Sequence, residues 1–338
     1  VAPGAPYQAQ LDVLGAQGRA HTLATRYLTI VTLGMPALTV AMTAASILRS
    51  VGDARRAMNV TLYGAVVNTI LDPILIFGLD LGIDGAAWAT VGARMAFMAV
   101  GLYGVVRVHR LIARPRLPTL VADIPLFASI AVPAILTNVA SPIANAYVTA
   151  AIATYGDDAV AGWAIIGRIM PVAFGPIYAL SSSIGPIVGQ NFGAGNGARV
   201  QRSLTLALGV NLGFTAVAWL ALALLSHQLN RLFGATGDAA DLITLFNVWL
   251  SPLFAFMGAL FVVNAVFNTL GFAHYATVLN WSRATIGTIP LVHLGSWAAG
   301  AEGILFAHMA GGILFGCVAV WLCQRLFDRL LPGCPVAP

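Results

Sequence analysis

The sequence predicts an all-α, polytopic membrane protein organised as two pseudo-symmetric helical lobes. Three observations predict it: a composition too apolar for a soluble interior, a series of apolar runs long enough to cross a bilayer, and an internal repeat at nearly constant spacing. Of the 338 residues, 59% are hydrophobic and 9% are charged, whereas about 25% of a soluble domain is charged. Such a chain cannot hide its apolar surface inside itself, so lipid is its solvent. All the basic side chains are arginine, and the formal net charge is +5. These arginines stand in short loops between apolar runs, where they act as topology signals rather than as a nucleic-acid footprint.

A transmembrane helix needs roughly 20 mostly apolar residues. Nine runs qualify, at about 27–48, 57–79, 85–106, 124–154, 159–188, 203–226, 242–270, 284–301 and 303–324, the last two parted by a tight turn around Glu302. The loops between them alternate in sign. Arg49, Arg55 and Arg56, then Arg107, Arg110, Arg114 and Arg116, then Arg199 and Arg202, then Arg325 and Arg329 form one set. Asp80 and Asp84, Asp157 and Asp158, Asp238 and Asp241, and Glu302 form the other, with Arg19 and Arg231 as exceptions. The positive-inside rule assigns the arginine set to the cytoplasm. The alternation also tests the count, because one false span would invert every later loop. The longest charged linker, 107–123, divides an earlier lobe from a later one.

The lobes are related in sequence. Gly15, Gly18 and Leu23 precede Gly234, Gly237 and Leu242 by 219 residues, and Pro36 pairs with Pro252, Gly52 with Gly271, Pro73 with Pro290 and Gly85 with Gly303. An ordered series at an offset of 216 to 219 is the signature of a duplication, a common transporter plan. Residues 124–226 of the second lobe have almost no counterpart in the first. About three helices are therefore expected ahead of this sequence in a twelve-helix parent, of which it would be a fragment or a truncated form.

Asp72 is the one acid well inside an apolar span, and intramembrane ionisable residues mark ion or substrate paths by default. Asn68 lies four residues earlier on the same helical face. Pro73 lacks an N–H, which deprives the Thr69 carbonyl of its helical donor. Carboxylate, amide oxygen and carbonyl thus gather within one turn, an oxygen-rich set suited to a hard cation or a proton. The competing reading has Asp72 capping a helix break or pairing with Arg94. Arg94 and Arg168 read first as hydrogen-bonding posts within a lobe.

The runs LRSVGDARRAM (48–58), NTILDPILIFG (68–78), GIDGAAWAT (82–90), PIVGQNFGAGN (186–196) and FNTLGFAHYATVLNWSRATIGTIPL (267–291) together resemble the MATE family of cation-coupled multidrug and toxin efflux antiporters. The resemblance covers nearly the whole chain from about Leu11 to Arg325. It implies that residues 1–118 are the C-terminal half of a first lobe (helices 4–6) and that residues 119–330 are the second lobe (helices 7–12). It implies exchange of Na⁺ or H⁺, with no other cofactor, for an organic compound, cationic or amphipathic. It also implies that Asn68, Asp72 and Thr90 belong to the cation site.

Asn138, Ser141 and Asn145 share one face of their helix by spacing, as do Asn264 and Asn268. Asn138, Ser141, Asn145 and Asn264 are candidates for the wall of a substrate cavity, although polar residues also join membrane helices. His308 aligns with Thr90 in the repeat, while Asp72 aligns near Ile289, so the lobes do not carry equivalent acids. His308 and His293 read first as structural histidines, with a proton role as the alternative.

The glycine cluster Gly193–Gly197 follows an apolar helix and precedes no lysine, which excludes the nucleotide-loop readings. No nucleophile elbow or zinc motif is present, and Cys317, Cys323 and Cys334 form no framework. The sequence therefore reads as a transporter and not an enzyme. Its expected partners are a small molecule and the lipid bilayer, without nucleic acid. It is expected to be a monomer in a cell membrane, the inner membrane of a bacterium. A flippase of lipid-linked precursors and a nonfunctional remnant are the alternatives.

Overall fold

The computed structural model describes residues 18–113 and 116–330. All regular structure among them is helical. The chain forms two compact units, Val1–Pro115 and Arg116–Pro338.

The first unit contains α1 (Gly18–Leu33), α2 (Met35–Ser50), α3 (Ala54–Pro73) and α4 (Gly82–Leu102). α3 runs on into a π turn at Ile74–Gly78, and α4 into another at Tyr103–Val108. α1 and α2 form one span bent by 48° at Gly34. α4 packs against the other three helices. Its contact with α2 and α3 is made by small side chains, Ala41, Ala44, Ala45 and Ala57, together with Leu48, Val60 and Val105. Lipid supplies no hydrophobic drive between helices, so close approach of small residues supplies the adhesion instead.

The second unit contains α5 (Leu117–Ala153), α6 (Asp157–Ala173), α7 (Gly175–Gly193), α8 (Gly197–Phe233), α9 (Gly237–Leu245), α10 (Phe254–Thr269), α11 (Ala273–Ala284) and α12 (Ile289–Leu330). α6 and α7 form one span bent by 51° at Phe174. Phe174 is fully buried there and stacks on Phe254 at 4.0 Å. A π turn at Phe246–Leu250 and a 3-10 turn at Ser251–Leu253 join α9 to α10. α10 is buried on nearly every side and touches α7, α8, α11 and α12, as a helix apolar all round should.

The stretch Ala273–Leu330 is 58 residues long, broken only by a short turn between α11 and α12. At 1.5 Å per residue a straight helix of that length would reach about 87 Å, far beyond the roughly 30 Å of hydrocarbon. The chain instead folds back at Ala299 and Gly300, whose φ is 59°. A Cβ on Gly295 would meet the Gly303 carbonyl, and one on Gly311 would meet the Gly287 carbonyl, the pairing of an antiparallel hairpin. Six long apolar helices and the two bent pairs make eight segments, and the fold-back divides Ala273–Leu330 in two, which gives nine among the described residues. The turn lies ahead of the expected Glu302, which is already helical. The physical reason is Gly300, which takes a left-handed conformation closed to most residues.

Two other expectations change. The linker predicted to run through residue 123 ends at Arg116, because Pro118 in the first turn of α5 starts that helix seven residues before 124. α8 is 37 residues long where 203–226 was expected. The apolar run measures only the lipid-embedded middle of such a helix.

Backbone geometry repeats between the units. Gly52 and Gly271 have φ of 87° and 85°, and Gly82 and Gly300 have φ of 54° and 59°. These pairs stand 219 and 218 residues apart. Gly85, like Gly303, lies against the backbone of the opposing arm, at Leu75 and Ile76.

Charge follows the helix ends. Asp84, Asp157, Asp158 and Asp238 occupy first turns, while Arg49, Arg107 and Arg329 occupy last ones. Each complements the helix dipole. Asp53 and Asn196 cap α3 and α8, accepting from the amides of Arg56 and Arg199 at 3.1 Å each.

Candidate functional site

Asp72 is the next-to-last residue of α3, immediately before Pro73 and the π turn. The hairpin of α3 and α4 sets Leu75 opposite Gly85 and Leu71 opposite Gly92. Thr90 on α4 therefore stands at the level of Asp72, with Asn68 one turn earlier in α3. All three are partly buried. Thr90 Oγ1 donates to the Ala86 carbonyl at 3.0 Å. Asn68 Nδ2 is buried without a partner, and Asp72 forms no ion pair or hydrogen bond among the described residues. The alternative pairing with Arg94 is not formed. Arg94 Nη1 donates to the Val31 carbonyl at 2.6 Å instead, beside the bend at Gly34. Arg94 thus closes the broken end of α1, a post within its own lobe.

Asp84 pairs with Arg26 at 2.5 Å, which gives a basic residue near the acidic end of α4 a definite partner. At the opposite end, Asp53 accepts from Arg56 and lies 2.8 Å from His109 Nε2, tying the α2–α3 turn to the end of α4. His109 first, and then Arg56, hold the Asp53 carboxyl well below the usual carboxylate range.

The second unit contains an open cavity of about 450 Å³. α5 contributes Asn138, Ser141 and Asn145; α7 contributes Tyr178 and Ser181; α10 contributes Phe254, Phe261, Asn264 and Asn268; α11 contributes Asn280 and Arg283; α12 contributes His308 and Met309. Asn138, Ser141, Asn145 and Asn264 thus lie on one cavity, drawn from two helices far apart in sequence. No carboxylate lines it.

The packing of α5 on α11 builds this wall. Thr277 Oγ1 donates to the Pro133 carbonyl at 2.8 Å, and Trp281 Nε1 donates to the Leu136 carbonyl at 3.1 Å. One turn on, Arg283 Nη2 donates to Ser141 Oγ at 3.1 Å. His308 meets Trp163 edge to face at 5.8 Å, and its Nδ1 is buried without a partner. His293, by contrast, is exposed and packs on Tyr147. Arg168 is exposed on α6. Cys317 and Cys323 are free thiols, and Cys334 lies outside the described residues.

Sequence reasoning missed Arg283 and Asn280. The stretch around them is polar enough to read as a connection between spans. The available signal was the spacing of Thr277, Asn280 and Arg283, which marks one face of a helix.

Comparison with known proteins gives a consistent result. Residues 8–74 and 133–293 match the MatE family. An FAD transporter of Shewanella oneidensis is 30% identical over 94% of this chain and 72% of its own length. The multidrug export protein MepA of Staphylococcus aureus is 26% identical over 96% of this chain and 72% of its own. The crystal structure of the Vibrio cholerae MATE transporter VcmN in its bent form superposes with a TM-score of 0.84. That match covers 96% of this chain and 74% of the other at 24% identity, and shows the shared fold.

Proposed function

Because the chain belongs to the MATE family of membrane transporters, we propose that it is a secondary antiporter that exports an organic compound in exchange for Na⁺ or H⁺, with Asp72 as the coupling group. The observation that carries this reading is the unpartnered Asp72 carboxylate inside a membrane helix. A charge in that setting is costly unless something compensates it. A bound cation or proton would do so reversibly, with Asn68 and Thr90 as neutral oxygen ligands. Asp72 also adjoins Pro73 and a π turn, two recognised causes of helix bending and of functional irregularity. Neutralising Asp72 would bias the first unit between two shapes, by differential affinity of the ion for each.

The substrate is an amphipathic organic molecule in this reading. An FAD transporter and a multidrug export protein among the relatives support an organic solute. A flippase of lipid-linked precursors needs a charged cavity for pyrophosphate; intramembrane arginine is scarce in this chain, and Arg283 is the arginine that lines the cavity. The family match favours the exporter.

The test is the initial rate of dye efflux from proteoliposomes with imposed Na⁺ or pH gradients. Asp72→Asn keeps shape and one acceptor oxygen but cannot hold a charge, and its insertion into the membrane is no harder. It should abolish gradient dependence at matched expression. Asn68→Ala and Thr90→Ala should only reduce it, since each removes a neutral ligand. Wild-type rates and ion dependence in Asp72→Asn would place coupling elsewhere.

A further inference from the structure

We propose that the cavity of the second unit is a subsite for the anionic group of an aromatic solute, with Arg283 as its anion-binding residue. The inference rests on the transporter reading above and adds the chemical class of the ligand.

Arg283 is 2% exposed on α11 and lines the cavity. A guanidinium carries five N–H donors. Here Nη2 donates to Ser141 Oγ, and Nε is buried with no partner. A buried cation of this kind is ordinarily paired with an acid, because desolvating an uncompensated charge is costly. No acid lines this cavity, and none forms an ion pair with Arg283 among the described residues. The hydroxyl of Ser141 answers one donor and none of the charge.

The surroundings are equipped to recognise a solute. Asn264 and His308, 8% and 7% exposed, each hold a buried polar atom without a partner beside the same space. Tyr178 and Phe261 face each other across 5.4 Å and present aromatic surface. The cavity has the size of a small-molecule site, and convergent polar groups share its wall with aromatic and methionine side chains. The planar fork of arginine suits carboxylate and phosphate oxygens.

A purely structural role for Arg283 is less complete. α5 and α11 are already joined by Thr277 and Trp281, so a neutral residue could have closed the same contact without burying charge. The first unit has no counterpart: the positions 217 and 218 residues before Arg283 are Val66 and Ala65.

The same chemistry could be offered by an anionic lipid headgroup, so the test separates the two. The chain in phosphatidylcholine nanodiscs is titrated with riboflavin 5′-phosphate, with neutral riboflavin and with cationic ethidium, following ligand fluorescence without any ion gradient. Wild type should prefer the phosphate over riboflavin by about tenfold or more, the worth of a charge-assisted hydrogen bond, and should bind ethidium weakest. Arg283→Gln should bring phosphate and neutral forms to near equality. Arg283→Lys, which keeps charge but loses the fork, should retain part of the preference. Equal wild-type binding of the two flavins overturns the proposal even if no variant folds, as does a preference that survives Arg283→Gln. Loss of the phosphate signal on adding a few per cent phosphatidylglycerol would assign the site to lipid and overturn the solute assignment. Failure of ion coupling leaves this gradient-free readout unmoved, so the two proposals fail separately.

Discussion

Gly303→Val tests how tightly the terminal hairpin closes. A Cβ at Gly303 would collide with the Gly295 carbonyl, standing 2.7 Å from its carbon and 3.2 Å from Ala299 Cβ. The obstacle is backbone, so no rotamer change relieves it. The arms must separate by roughly 1 Å to reach ordinary carbon contact of about 3.5–4.0 Å. A gap of that size forfeits a quarter to a half of each dispersion contact along the seam. Together with overpacking strain of about 1–3 kcal/mol, this predicts a loss near the top of that range. Gly213→Ala is the control, because a Cβ there meets nothing within 4 Å. It should change stability by about 1 kcal/mol or less, in the favourable direction expected for alanine in a helix. The assay is unfolding in mixed micelles titrated with dodecyl sulfate, followed by tryptophan fluorescence. Trp163 packs on His308, five residues along the same arm, so it also reports displacement of the cavity wall. Gly85→Val should behave alike in the first unit, since its Cβ would meet Leu75 and Ile76 backbone. If Gly303→Val stayed within about 0.5 kcal/mol of wild type, a typical surface effect, the close seam would be refuted.

Two further outcomes are expected. Asp53 has a lowered carboxyl pKa; its contribution is present above the ordinary carboxylate value of about 3.9 and is lost only as pH falls through the lower folded value. Hydrogen exchange of residues 51–58, corrected for intrinsic rates, should be unchanged from pH 7 to 4 in wild type. In His109→Ala, which removes the main cause of the shift, protection should fall as pH 4 is approached; identical profiles would exclude the clasp. Ala198→Cys, exposed beside Arg199, should react with an impermeant maleimide from the cytoplasmic face alone, and labelling from outside would reverse the charge-based orientation.

The outline of the membrane protein was legible because hydropathy is additive along a chain. A run of apolar residues is expensive in water wherever it folds, so counting recovered nine segments. The repeat was legible because glycine and proline answer local needs that recur: Gly52 and Gly271 take the same positive φ, and Gly85 and Gly303 allow the same close approach. Asp72 stood out for a similar reason, since a carboxylate in lipid conflicts with its neighbours in sequence alone.

What the linear signal lacks is the partner. Helical spacing showed that Asn138, Ser141 and Asn145 share a face, but not that α10 turns Asn264 toward the same space. It offered Asp72 and Arg94 as a pair, whereas at the bend Arg94 joins the Gly34 amide in donating to the Val31 carbonyl. Arg283 was hidden most fully. Its neighbours Asn280, Trp281 and Ser282 lower the local hydropathy, so the stretch resembles a loop, yet α11 carries it into the interior against α5. By itself the sequence determined the solvent, the spans and the repeat, because each depends on transfer energies or backbone freedom of residues taken one at a time. Only the tertiary structure decided which buried charges stay unpaired, because pairing depends on distances between helices that hydropathy does not encode.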